Sequence, residues 1–315
     1  MTEHANPAPL DWRPAEKMIP TGIPTLDDVL GGGLVLGKVY VIGGRTMTGK
    51  SLVTQNIALN VARTSSRVYA AYLEESPRYF IQRIISSVSR VPVDKVISSK
   101  YRTGDQDQKI RKATQVLADE VDDGDLVVFS PTSKGSQVDW PSTPAVIRRY
   151  LTSGKDRGVP PALLIIDYLQ LMVASGGEMI DASRELIDAM TDDITGIAEE
   201  FQIPVIITSQ INRAPIGEKN LPPTLQDLAI ATHGGLLNHA TVVLLLHREE
   251  LDSLTGGETS GELDVIVAKS PTGRVGTLTL GWFSHPGTAR EVGFPFRSAM
   301  QQNRDTRLAE EIEPS

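Results

Sequence analysis

Between Gly44 and Ser51 the chain reads Gly44-Arg45-Thr46-Met47-Thr48-Gly49-Lys50-Ser51. Two glycines bracket a short loop, and a lysine and a hydroxyl follow directly. The flanks fix what such a loop can belong to. Val39, Tyr40, Val41 and Ile42 form an apolar run with the character of a buried strand, and Ser51 to Arg63 carries Val53, Ile57 and Val61 at helical spacing. Strand, glycine loop and helix in that order suit the cradling of phosphates. Glycines let backbone N–H groups approach the oxygens, Lys50 offers charge to the outer phosphates, and the Ser51 hydroxyl offers a ligand for Mg2+. The helix N-terminus adds a favourable dipole for a polyanion. Gly44, Arg45, Thr46, Met47, Thr48, Gly49, Lys50 and Ser51 are therefore the expected nucleotide-binding residues.

Further acids are expected wherever strands end near that loop. Val68 to Leu73 reads as a second strand and runs into Glu74-Glu75-Ser76-Pro77, where Ser76 can cap the next helix and Pro77 suits its first turn. Open parallel sheets bind ligands at the carboxyl ends of their strands, so either glutamate could orient and deprotonate an attacking water. Ala162 to Ile166 is an apolar strand that ends in Asp167, a placement that lets a carboxylate reach Mg2+ held by Ser51. Ile203 to Thr208 forms another strand, followed by Ser209-Gln210-Ile211-Asn212-Arg213. Gln210 there would sense the terminal phosphate or close the strand by hydrogen bonding. Between these strands, Ile110 to Val121, Ala145 to Leu151 and Asp181 to Gln202 read as helices. Trp140 and Tyr150 read as packing residues. Asn212 to Gly235 reads as a long loop of the kind that carries function. Thr241 to Leu246, Leu263 to Ala268 and Thr277 to Phe283 complete the sheet.

Composition sets outer limits. The 315 residues contain no cysteine, which excludes disulfides and thiol chemistry and fits a reducing compartment; the cytoplasm is the expected location. No run approaches 18 apolar residues, so no membrane partner is expected. A net charge of -8 argues against a surface coated by nucleic acid, although a local basic track is compatible with it.

Ile165-Ile166-Asp167-Tyr168-Leu169-Gln170-Leu171-Met172 together with Ser209-Gln210-Ile211-Asn212-Arg213-Ala214 closely resembles the RecA-like motor domain of DnaB-type replicative helicases. The resemblance runs from about Ile19 to Phe283 and includes Pro20-Thr21-Gly22, Gly44-Arg45, Leu73-Glu74 and Ala268-Lys269. It implies an α/β, RecA-like P-loop NTPase fold: a mainly parallel central sheet flanked by helices, with an antiparallel carboxyl-terminal edge. It also implies ring-shaped homo-hexamers, ATP and Mg2+, single-stranded DNA and a loader or other protein as partners, and nucleotide sites shared between neighbouring subunits. It selects Glu74 as catalytic carboxylate, Ser51 and Asp167 for Mg2+, Gln210 as phosphate sensor, and Lys269 as the residue offered to the neighbour's nucleotide. The expected organisation is an extended arm over residues 1–18, the ATPase core over 19–284 and a mobile tail over 285–315.

The chain departs from that pattern in three places. Only about 18 residues precede the motor, so the family's amino-terminal collar is expected to be lacking. Lys269-Ser270-Pro271 puts proline where the family has an arginine finger, a group that can contribute roughly 10^3 to 10^5 in rate, and Arg274 is the candidate in its place. The channel-facing loops are poor in cations: Arg184, Arg213 and Lys219 are the basic candidates, joined by the backbone N–H groups of Gly234 and Gly235. His233 and His239 have no cysteine or carboxylate pattern beside them and read as surface histidines. Thr21-Gly22-Ile23-Pro24-Thr25-Leu26-Asp27 and Leu73-Glu74-Glu75-Ser76-Pro77 also look like the KaiC and RadA branch of the superfamily. Two functions follow: an ATP-driven DnaB-like helicase or single-strand translocase, or a RecA-fold regulatory or assembly ATPase without helicase activity.

Overall fold

The structure is a computed structural model. It describes residues 17–64, 66–72, 76–121, 125–129, 143–167, 184–211, 221–232, 234–248, 261–283, 288–291 and 297–298. The chain enters through β1 (Met18–Ile19), α1 (Pro24–Leu30) and β2 (Leu34–Val35), with β1 and β2 paired antiparallel. The Thr21-Gly22 to Asp27 stretch is an architectural device here. The Asp27 carboxylate accepts from Thr21 N at 2.7 Å, Thr21 Oγ1 at 2.8 Å and Gly22 N at 3.1 Å, fixing the entry to α1. Gly33 then passes so close to β1 that a Cβ would lie within contact of the Ile19 carbonyl. Because three donors converge on one carboxylate, Asp27→Ala is expected to cost about 2 kcal/mol, read as a lowered thermal midpoint, with nucleotide binding retained in the folded fraction.

The core alternates strand and helix: β3 (Val39–Gly44), α2 (Lys50–Ala62), β4 (Arg67–Tyr72), α3 (Pro77–Ser89), α4 (Val93–Ile97), α5 (Gly104–Glu120), β5 (Leu126–Phe129), α6 (Thr143–Asp156), β6 (Pro161–Asp167), α7 (Arg184–Phe201) and β7 (Val205–Gln210). Then come α8 (Leu225–Ala231), α9 (Gly235–His239), β8 (Val242–His247), β9 (Glu262–Lys269), β10 (Gly276–Phe283), β11 (Thr288–Glu291) and β12 (Arg297–Ser298). Among the described residues ten strands make one sheet in the order β11-β10-β9-β8-β3-β7-β6-β4-β5, with β12 also paired to β10. From β8 to β5 every pairing is parallel, and from β8 outward through β9, β10 and β11 every pairing is antiparallel. A mainly parallel sheet with an antiparallel carboxyl-terminal edge is the expected fold class.

Strand alternation divides the core into two layers. Ile42, Ala70, Tyr72, Ile165 and Ile206 pack on the side of α1, α2 and α3. Val41, Ala71, Ile166, Ile207 and Val243 pack on the side of α6 and α7. Buried on both faces, the central strands are continuous apolar runs, which made them legible. Tyr150 stacks on Phe129 at 4.1 Å, a packing role as expected. Trp140 lies outside the described residues.

Two expectations are corrected. The stretch from Asn212 to Gly235 is not wholly loop: α8 occupies Leu225–Ala231, started by a reciprocal Thr224–Asp227 capping box. The stretch from 285 onward is not wholly tail: Thr288–Glu291 pairs with Leu280–Phe283, and Arg297–Ser298 with Gly276–Thr277, so both extend the sheet. Among the described residues no helix is long and apolar enough to cross a membrane.

Candidate nucleotide site

Residues far apart in the chain meet at the carboxyl ends of the parallel strands. The loop after β3 is wound tightly: Thr48 donates through its hydroxyl to the Arg45 carbonyl at 2.8 Å, and Met47, at φ +66°, is turned out to solvent. Lys50 Nζ donates to the carbonyls of Gly44 and Arg45, each at 2.9 Å, so its ammonium is held within the turn of the loop. Gly49 has φ +107°, and a Cβ there would lie 2.6 Å from the Trp282 ring. No other residue type fits both constraints. Arg45 reaches Leu221 O at 3.0 Å, tying the loop to the approach of α8.

The sheet register supplies the rest. Gly44 pairs with Gln210 across β3 and β7, which sets the expected phosphate sensor beside the first glycine of the loop. Gln210 is the last residue of β7, at the strand end as expected. Asp167 ends β6 and is 2 % exposed. One of its oxygens, Oδ1, accepts a short hydrogen bond from the Thr208 hydroxyl on β7. On its other flank, β4 sets Tyr72 directly in register with Asp167. Gln55 Nε2, one helical turn after Ser51, donates to the Tyr72 hydroxyl at 3.0 Å. Burial, and then the negative charge of Asp167, push the Tyr72 hydroxyl above the ordinary phenol range, so it remains protonated.

Sequence reasoning missed Tyr72, Thr208, Arg248 and Trp282. Arg248 follows β8 directly, donates to Met47 O at 3.4 Å and lies over the Trp282 ring at 4.1 Å. The pair walls one side of the loop, with Trp282 brought there by the antiparallel return of β10. An arginine just past a strand that neighbours β3 was a readable signal. The tryptophan was not, because its position depends on the register of β9 and β10.

Ser51 and Asp167 present only oxygen ligands, which suits a hard cation such as Mg2+. Among the described residues no three His, Cys, Asp or Glu side chains group as a metal site by themselves.

The other candidates lie apart. Lys269 pairs with Val243, three residues toward the amino end of β8 from Leu246, the partner of Gly44. Its Nζ donates to Leu237 O at 2.7 Å. Arg274 binds Asp28 through the backbone carbonyl at 2.7 Å and Oδ2 at 2.8 Å. Gly234 N donates to Ala229 O at 2.8 Å and Gly235 N to Thr232 O at 3.2 Å, so both amides serve the α8–α9 turn instead of facing outward for phosphates. Glu74, Arg213, Lys219 and His233 lie outside the described residues, as does the side chain of Arg184, which opens α7. His239 pairs with Asp192 at 3.3 Å.

The chain is similar to known proteins. In Leifsonia xyli subsp. xyli (strain CTCB07), the replicative DNA helicase DnaB is 28% identical over 274 residues, covering 84% of this chain and 54% of that protein. In Bacillus subtilis (strain 168), the replicative DNA helicase DnaC is 27% identical over 267 residues, covering 84% of this chain and 54% of that protein. Among solved structures, a DnaB-like replicative helicase described with its interactions with primase superposes with a TM-score of 0.73 at 22% identity, over 88% of this chain and 62% of that one. Another, described as an ATPase domain, gives 0.72 at 22% identity, over 88% of this chain and 92% of that one. The chain thus spans about half the length of the curated relatives it matches. The family model for the DnaB-like helicase C terminal domain matches residues 18–288, nearly the whole of the sheet and its helices, and the chain belongs to that family.

Proposed function

We propose that the chain is the ATP-hydrolysing motor of a DnaB-like DNA helicase or single-stranded DNA translocase, working as a ring of six copies with ATP shared across each interface. The observation that carries this reading is the separation of two sets of residues. Lys50, Ser51, Asp167 and Gln210 converge at the carboxyl end of the parallel strands. Lys269 is roughly 10 Å back along the strands and two strands across, and the chain runs away from the loop beyond it. A lysine so placed stands apart from the nucleotide site of its own copy, which supports the reading that it serves the nucleotide of another. Ser51 and Asp167 would hold Mg2+, which neutralises charge on the phosphates. Lys50 binds the outer phosphates, Gln210 reads the terminal one, and Glu74 orients the water. Residues 19–284, extended by β11, form the motor unit, and the cytoplasm is its proposed location.

A second reading, a RecA-fold regulatory or assembly ATPase, is favoured by one observation. The amides of Gly234 and Gly235 are engaged within the fold, and the remaining cationic candidates are few. The test is ATP turnover at low salt with and without single-stranded DNA. The motor reading expects several-fold stimulation that fades as salt rises. Turnover indifferent to DNA would leave the regulatory reading, with a protein partner to be found.

A further inference from the structure

Asp167 is flanked on both neighbouring strands by side chains that carry a hydroxyl. Thr208 on β7 holds Oδ1. On the β4 side stands Tyr72, 1 % exposed, its ring packed edge-on against Phe80 at 5.0 Å. Strand alternation sends Tyr72 toward α2, the helix that carries Ser51. Its oxygen already accepts a hydrogen bond from Gln55. A phenol that accepts there still has its own proton to donate. Register sets it beside the Asp167 carboxylate, and the Asp167, Ser51 and Arg83 side chains all act on its hydroxyl, the first two of them metal ligands in the reading above. The hydroxyl thus does more than pack: it accepts from the buried Gln55 amide and stands beside Asp167.

We infer that Tyr72 is a positioning residue for the metal: braced by Gln55, its hydroxyl aims the second oxygen of Asp167 and the Ser51 hydroxyl at one point, which Mg2+ would occupy. The inference rests on the reading of the site as one for Mg2+ and ATP. The chemistry is orientation without bond making. Thr208 fixes one carboxylate oxygen, Tyr72 stands in register on the other flank of the carboxylate, and Gln55 keeps the phenol from turning away. Partners of this kind, one step removed from a metal, typically tune its affinity by about 10- to 100-fold.

The test is Tyr72→Phe in the full chain, which keeps the ring against Phe80 and removes only the hydroxyl. Binding of the non-hydrolysable analogue AMP-PNP is measured by calorimetry across a series of Mg2+ concentrations and again in EDTA. The expected result is a rise of about tenfold in the Mg2+ concentration at half-effect, with affinity in EDTA unchanged. A purely structural role would move both or neither. Gln55→Leu, which releases the phenol from its brace, supplies the same readout from the helix side and is expected to give a smaller rise. A Mg2+ midpoint unaltered in both variants overturns the inference while leaving the nucleotide site standing. Failure of the unaltered protein to bind AMP-PNP with Mg2+ would instead remove the reading on which it rests.

Discussion

Lys50→Ala is expected to abolish measurable ATP turnover, lowering kcat by on the order of 10^2 to 10^3, while the protein stays folded. Lys50 Nζ sits against the Gly44 and Arg45 carbonyls within the loop, where the charge of outer phosphates would be met. Structurally the loss is small. Lys50 is the first residue of α2, the helix is held by buried Leu52, Val53, Ile57 and Val61, and alanine is an excellent helix former. A melting curve close to that of the parent protein, alongside absent phosphate release, is the result that assigns the loss to chemistry. Turnover within about threefold of the parent, far short of what a lost charge donor costs, would remove Lys50 from the mechanism.

Asp167→Asn is expected to remove turnover by a comparable factor and to raise thermal stability or leave it unchanged. The carboxylate lies almost fully buried among hydroxyls. A charge so placed is costly unless a cation arrives to meet it, and the amide relieves that cost while its oxygen can still accept from Thr208. Loss of activity with gain of stability is the mark of a residue kept for function. Nucleotide affinity in the variant should also lose most of its dependence on Mg2+. A variant that is active, or that melts well below the parent protein, would show Asp167 to be structural.

The loop, the acid at the end of β6 and the glutamine at the end of β7 were all legible in the sequence, because each is a polar residue placed where an apolar run stops. What the sequence hid was lateral. Tyr72 and Thr208 look like ordinary residues at strand ends, and nothing along the chain says that β4, β6 and β7 lie side by side. Topology brings them together, and the two-residue alternation then turns all three toward α2. The same limit explains Trp282: its contact with Gly49 depends on β8, β9 and β10 reversing direction twice. α8 was missed for another reason. At seven residues it is too short to display a helical period, although its capping residues Thr224 and Asp227 were in plain view. β11 was missed because four residues cannot show alternation.

The reversal at β9 has a geometric consequence. A wholly parallel sheet would deliver every strand end that follows its helices to one edge, whereas the antiparallel turn returns Lys269 and Arg274 to the opposite edge. In the proposed shared-site reading, a socket at one edge and a plug at the other would make head-to-tail contacts, which either close into a circle or continue as a helical filament. In an open row the terminal socket always lacks its plug, and closure alone completes the last one. On that proposal the activity of each copy is expected to climb steeply with protein concentration, and a small share of copies carrying Lys269→Glu to silence neighbours whose own sockets are intact.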